Sequence, residues 1–222
     1  PDAVAPTVKP PDGARLFIVV GASQGFSGAY SERLVAAALT QTQGSRDTFM
    51  LIGQRCITEF AAHGIQPIWS AEMVSHCAEV PALASRINDA LFAQLGAGKV
   101  DRVTLLSADP GPPVVTIVNQ TLMPFDFTQI ATRATAAAPL TTLPPQDLSL
   151  GLVEEYVFST VCKSLMLGFA AENDARMEAM SRARRNVRRI REDLRSEFAR
   201  ARQEQTTTEI VELSGAATQI KP

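Results

Sequence analysis

The chain reads as an α/β protein in which a mainly parallel sheet domain is followed by one long projecting α-helix. Three observations predict this. Short apolar runs alternate with amphipathic segments over residues 15–127, the pattern of strand–helix–strand units stacked on a shared sheet. Residues 148–214 hold no proline and only two glycines, Gly151 and Gly168, so nothing in them stops a helix. At about 1.5 Å per residue such a helix runs roughly 90–100 Å, whereas a globule of about 150 residues is about 40 Å across. The helix is predicted to project beyond its own domain.

The elements follow in order. Residues 1–14 are Pro-rich and carry no apolar stretch of the kind a signal peptide needs; without an initiator Met, the chain is expected to be processed or truncated. RLFIVV, ended by Gly21, reads as a strand buried on both faces. Residues 27–43 place Leu34, Val35 and Leu39 at helical spacing, with Ser27 as the expected cap. TFMLI is a second strand, 55–63 a short helix closed by Gly64, and 65–69 a third strand. Residues 80–95 repeat Leu83, Ile87, Leu91 and Leu95, one face of a helix. Strands are predicted at 102–106 and 114–118, separated by the turn-forming ADPGPP. The expected organisation is a lead-in at 1–14, a globular domain at 15–127, a connector at 128–147, a long helix at 148–216 and a tail at 217–222.

Bulk properties narrow the function. With 222 residues, 45% hydrophobic, 20% charged and net charge −2, the chain has no overall pull toward nucleic acid or acidic lipid. Cys56, Cys77 and Cys162 are odd in number and far apart, which points to a reducing compartment and away from a disulfide framework or redox pair. No run of about 18 apolar residues provides a spanning helix.

Catalytic signatures are missing. No G-x-x-x-x-G-K-[ST] occurs. The two histidines, His63 and His76, fall at no metal-ligand spacing with Cys56 or Cys77, and Ser27 has no His/Asp pattern to activate it. IVVGASQGFSG does resemble the glycine-rich loop of short-chain dehydrogenases, in which glycines let the backbone approach a pyrophosphate. Here the glycines are Gly21, Gly25 and Gly28, one residue longer in the last interval, and no Tyr-x-x-x-Lys follows. The reading is no catalytic residue, no cofactor and no metal, with Gly21, Gly25 and Gly28 shaping a structural loop. A nucleotide-dependent oxidoreductase is the alternative.

The long helix carries its own information. Met180, Val187, Leu194 and Ala201 form an apolar seam at heptad spacing, whereas the companion set Met177, Arg184, Arg191 and Phe198 is half arginine. A parallel coiled coil of identical strands wants both sets apolar, so this reads as one strand of an asymmetric pair. Ten of the 21 basic residues are arginines between Arg176 and Arg202, most without a Glu four residues earlier. The bland reading is a solvated face; the sharper one is an acidic partner. A nucleic-acid-binding helix is a further alternative, weakened because only Phe198 interleaves the basic stretch.

The stretch beginning ENDARMEAMSRARR closely resembles the C-terminal helix of F-type ATP synthase gamma subunits. The family's E-x-x-A-R-M-x-A-M is met by Glu172, Ala175, Arg176, Met177, Ala179 and Met180. Its later R-Q, T-x-E-I-x-E and G-A elements are met by Arg202 and Gln203, by Thr207, Glu209, Ile210 and Glu212, and by Gly215 and Ala216. Ala199 and Thr206 depart from the family's Asn and Ile. GASQGFSGAY is similar to the family's S-D-R-G-L-C-G-x-x-N, with Ser23, Gln24 and Ser27 where Asp, Arg and Cys usually stand, and LIGQRCITEF is similar to I-G-x-K-G-x-x-F/Y-F.

The resemblance implies a Rossmann-like domain and a C-terminal helix forming one strand of an antiparallel coiled coil. The family's own N-terminal helix would supply the other strand, and this chain starts just before the first β-strand. The altered glycine loop suggests a divergent bacterial branch. The implied role is the central-stalk rotor, passing torque between the membrane c-ring and the alpha/beta hexamer. Its implied partners are the alpha, beta, epsilon and c subunits at the cytoplasmic face of a bacterial inner membrane. Contacts to the alpha/beta ring are expected at Arg176, Arg184, Arg188, Arg191, Arg202 and Gln203.

Overall fold

A computed structural model of the chain describes residues 14–42, 46–111, 115–125 and 141–218, the last four by their backbone. Five strands form one sheet in the order β3-β2-β1-β4-β5: β1 (Arg15–Val20), β2 (Thr48–Ile52), β3 (Trp69–Ala71), β4 (Arg102–Asp109) and β5 (Thr116–Met123). Strand β1 lies at the centre, parallel to β2 and β4; β3 is parallel to β2, and β5 runs antiparallel on β4.

The continuous apolar run of β1 has the consequence expected of it. Successive side chains point to opposite faces, so Leu16, Ile18 and Val20 join one buried cluster while Phe17 and Val19 join another. Helices α1 (Tyr30–Thr40) and α2 (Gln54–Ala62) cover the Phe17 side with Leu34, Val35, Cys56 and Phe60. The other side is covered by Leu83, Ile87 and Leu91 of α3 (Val80–Gly96), and by Val157, Val161 and Leu165 of α4 (Pro145–Thr218). Each fully buried Leu, Ile, Val or Phe contributes about 1.5–3 kcal/mol, so this three-layer arrangement carries most of the fold's driving force. At the mouth of β1, Arg15 makes a forked ion pair with Asp47 (3.0 and 2.7 Å) and lies over the Phe17 ring.

Several boundaries differ from the sequence expectation. Helix α1 starts at Tyr30 rather than residue 27, because Phe26 and Gly28 both take positive φ (64° and 60°) and interrupt helical geometry. Ser27 is therefore no side-chain cap: the N-cap is Ala29, and Ser27 supplies only its carbonyl, to the Tyr30 N–H at 3.4 Å. The third strand is Trp69–Ala71 rather than 65–69. Ile65 instead closes α2, donating its N–H to Phe60 O while Gly64, at φ 74°, donates to Ala61 O, a Schellman ending with Ile65 packed into the same cluster as Phe60. Pro67 has no N–H to give a ladder, so pairing with β2 begins after it, at Met50↔Trp69. Strand β4 runs on to Asp109 because β5 gives it an antiparallel partner along that length. The start of the expected fifth strand, Val114, lies outside the described residues, as does most of the expected connector. The long helix begins three residues early, with Pro145 in its first turn, where a missing N–H costs nothing.

The chain divides into two compact units, Pro1–Met177 and Glu178–Pro222. The first holds the sheet, α1 to α3 and the sheet-packed part of α4. The second is the remainder of α4, in which every described side chain from Met180 to Ser214 is exposed. Among the described residues no helix is long and apolar enough to cross a membrane.

Candidate functional site

The segment 21–29 joins β1 to α1, the place where open α/β sheets commonly bind ligands. Gly21 donates its N–H to Ile52 O (2.9 Å), and the Ala22 carbonyl receives the N–H of Arg55 (3.0 Å) at the start of α2. A Cβ on Gly21 would lie 2.5 Å from Cys56 Cβ. Its role is thus to let α2 approach β1. Gly25 has open space around its Cα and Gly28 supplies a left-handed turn. Between them Phe26 is 76% exposed.

Two of the loop's successive donors, the N–H groups of Ser23 and Gln24, are already engaged. Glu172 of α4, with a side chain only 6% exposed, accepts from the Gln24 N–H at 2.9 Å and the Ser23 N–H at 3.3 Å. Arg176, one turn later and 24% exposed, donates to Glu172 at 2.6 Å, to Asn173 Oδ1 at 2.7 Å and to the Gly25 carbonyl at 3.3 Å. Ser23 Oγ in turn accepts the N–H of Met73 (2.8 Å) and Gln54 (3.4 Å), so a short hydroxyl at this position ties three segments together. Beside them lies a cleft of about 400 Å³, lined in part by Ser23, Gln24, Glu72, Phe169 and Glu172. Tyr30 is buried nearby, its hydroxyl without a hydrogen-bond partner among the described residues; burial first, and then the Glu172 charge, push the phenol well above its ordinary range. An anionic pyrophosphate arriving at this loop would meet a carboxylate where the dehydrogenase-like reading needs vacant N–H groups.

The arginine-rich stretch is a separate surface in the second unit. Arg184, Arg188, Arg191, Arg202 and Gln203 are all exposed. Their side chains make no hydrogen bond or ion pair among the described residues, where the one ion pair of this unit joins Arg182 to Glu178 at 3.7 Å. Steps of 4, 3, 4, 3 and 4 link Arg184, Arg188, Arg191, Arg195, Phe198 and Arg202, so on a 3.6-residue helix they form a single stripe. Alongside it run Met180, Val187 and Leu194, at 46%, 64% and 59% exposure. Arg176 is not part of this stripe; it belongs to the Glu172 cluster. Thr206, Thr207 and Thr208 each donate to the carbonyl four residues back at 2.8–2.9 Å, which satisfies three hydroxyls within the helix.

Sequence reasoning left two participants without a role. Glu172 entered only as a motif letter, although its place four residues before Arg176 is the spacing of a helical ion pair. Arg195 went unnamed, although it completes the stripe.

Comparison with known proteins agrees with this geometry. A family profile described as ATP synthase matches residues 3–220. The ATP synthase gamma chain of Sulfurovum sp. (strain NBC37-1) is 23% identical over 212 residues, covering 92% of this chain and 72% of that protein. The ATP synthase gamma chain of Cyanothece sp. is 28% identical over 240 residues, covering 92% and 75%. Among solved structures, the rotor of the Euglena gracilis mitochondrial ATP synthase aligns with a TM-score of 0.62 at 13% identity, over 86% of this chain and 74% of that one. The central stalk and c-ring structure from Tetrahymena thermophila gives 0.56 at 20% identity, over 77% and 76%.

Proposed function

Because this chain belongs to the ATP synthase gamma-chain family, we propose that it is the central-stalk rotor subunit, passing torque between a membrane c-ring and a catalytic alpha/beta hexamer. The observation that carries the reading is the second unit's paired surface, an exposed arginine stripe beside an exposed apolar seam. In this reading Arg184, Arg188, Arg191, Arg202 and Gln203 face the alpha/beta ring, with Arg195 added to the set, and Arg176 acts within the sheet-bearing unit, where it holds the β1–α1 loop. The sheet-bearing unit meets epsilon and the c-ring at the cytoplasmic face of a bacterial inner membrane, and the hydrolytic chemistry resides in the partner subunits.

The physical logic suits a turning part. Guanidinium groups stay charged throughout the physiological range and pair in several geometries, so one stripe can exchange acidic partners in succession. Solvent-exposed ion pairs are worth only about 0–1 kcal/mol each, which leaves shallow wells rather than traps. The test is reconstitution: the chain should restore ATP-driven ion transport to alpha, beta, epsilon and c-ring partners depleted of their own gamma subunit. Replacing Arg184, Arg188 and Arg191 together with glutamine should lower that transport and flatten its dependence on salt. A chain that neither co-purifies with alpha and beta nor restores transport would overturn the assignment.

A further inference from the structure

We infer that Glu172 is the built-in anion of the β1–α1 loop, and that with Arg176 it keys α4 against rotation on the sheet. Three observations lead there. Between Gly168 and Ala175 the fully buried apolar positions of α4 are all small: a Cβ on Gly168 would lie 2.7 Å from Val20 Cγ1, while Ala171 and Ala175 pack with Ala22, Tyr30 and Ala108. That close, smooth contact resists separation, because apolar burial is proportional to area. It resists slippage poorly, because apolar attraction has no preferred direction. Hydrogen bonds do have direction, and among the described residues the polar side chains bridging α4 to this loop are Glu172, reaching the N–H groups of Ser23 and Gln24, and Arg176, reaching the Gly25 carbonyl.

The chemistry explains why a carboxylate serves. Successive backbone N–H groups in a turn form an anion-binding concavity, and charge-assisted bonds to it are short and strong. A carboxylate delivered by the same chain fills that concavity at no cost in ligand concentration. Arg176 then balances the charge at 2.6 Å and holds Gly25, the loop residue that follows Gln24. Glu172 and Arg176 are positioning residues: they hold a joint and touch no reacting atom. The mechanical half of this inference rests on the rotor reading, whereas the clamp itself does not.

The experiment compares the full chain with its Glu172→Gln and Arg176→Lys variants. Glutamine keeps the shape but turns an –NH₂ group toward backbone donors. Lysine keeps the charge but loses the fork that serves three acceptors at once. Hydrogen exchange at the Ser23 and Gln24 amides should accelerate about 10- to 100-fold in Glu172→Gln and by less in Arg176→Lys, while the β1 amides stay protected. In the assembled complex, the ratio of ion transport to ATP hydrolysis should fall in the same order. Unchanged exchange at Ser23 and Gln24 would overturn the clamp. Faster exchange with an unchanged transport ratio would overturn its keying role. Should the unaltered chain fail to restore any transport, the rotor reading falls instead, and the exchange rates still judge the clamp.

Discussion

Replacing Gly168 with alanine is expected to destabilise the sheet-bearing unit, although the same exchange at Gly151 on the same helix should stabilise it. In an exposed helix interior, glycine to alanine is worth about 0.5–1 kcal/mol, since alanine loses less backbone freedom on folding. Gly151 is exposed with nothing within 4 Å of the new methyl, so it should realise that gain. At Gly168 the methyl would sit 2.7 Å from Val20 Cγ1 and 3.9 Å from Met73 Cε. Ordinary contact begins near 3.4 Å, so something must move by several tenths of an ångström. Val20 is fully buried at the end of the central strand, which leaves the helix to lift, loosening Leu165 and Ala171 with it. Overpacking of this kind costs about 1–3 kcal/mol, more than the propensity gain, for a net loss of about 1–2 kcal/mol. For a unit of this size that lowers Tm by about 2–8 °C, against a rise of about 1–4 °C for Gly151→Ala. Trp69 is the only tryptophan and packs against the core of the sheet-bearing unit, so its fluorescence reports that unit without interference from the second. A Gly168→Ala variant as stable as Gly151→Ala would refute the close-approach argument.

Three further outcomes follow from the same reasoning. Gly21→Ala should cost about 3 kcal/mol by forcing a methyl to 2.5 Å from Cys56 Cβ; combined with Cys56→Gly, the cost of the Gly21 change should shrink by more than 1 kcal/mol in a double-mutant cycle of urea melts, and strict additivity would contradict the contact. Cys77 is exposed and Cys56 buried, so a maleimide should label Cys77 first and reach Cys56 only as the fold opens. The Cys56 thiol is pushed from its ordinary 9.0 up to about 12, by burial first and by the Glu59 charge second. The native state thus keeps a proton that the unfolded chain has lost, and this contribution to stability is whole below pH 9 and declines as pH rises from 9 toward 12. Urea melts across that window should fall faster for the natural chain than for Cys56→Ala, by up to about 1.4 kcal/mol per pH unit; parallel slopes would show that Cys56 is not held protonated.

Much of the fold was legible because its signals are local. Strands β1 and β2 run as their apolar stretches run, each bounded by a glycine whose backbone the packing requires: Gly21 beneath Cys56, and Gly53 at φ 99° against the Gly21 and Ala22 carbonyls. Helix α3 follows its four-residue rhythm, and the long C-terminal helix follows from the absence of any breaker. The start of α1 was misread because its expected cap, Ser27, sits between two residues of positive φ, and a single bulky phenylalanine in that conformation leaves no mark in a hydrophobic pattern. The placement of β3 was misread for a different reason: Ile65 is as apolar as a strand residue, but it was needed to close α2 over Phe60.

The arginine stripe belongs to the legible part, since helical periodicity alone puts Arg184, Arg188, Arg191 and Arg202 on one face. The loop site does not. Its three glycines are plain in the sequence, but they do not reveal whether the backbone donors among them await a phosphate or are already filled. That depends on Glu172, which lies 149 residues from Ser23 and reaches it only because α4 is seated on the sheet through Val157, Val161 and Leu165. Side-chain periodicity is written into neighbouring residues and survives in the linear text. The partner of a polar group is chosen by which segments the core brings together, so only the tertiary structure could decide that this loop is held by its own chain.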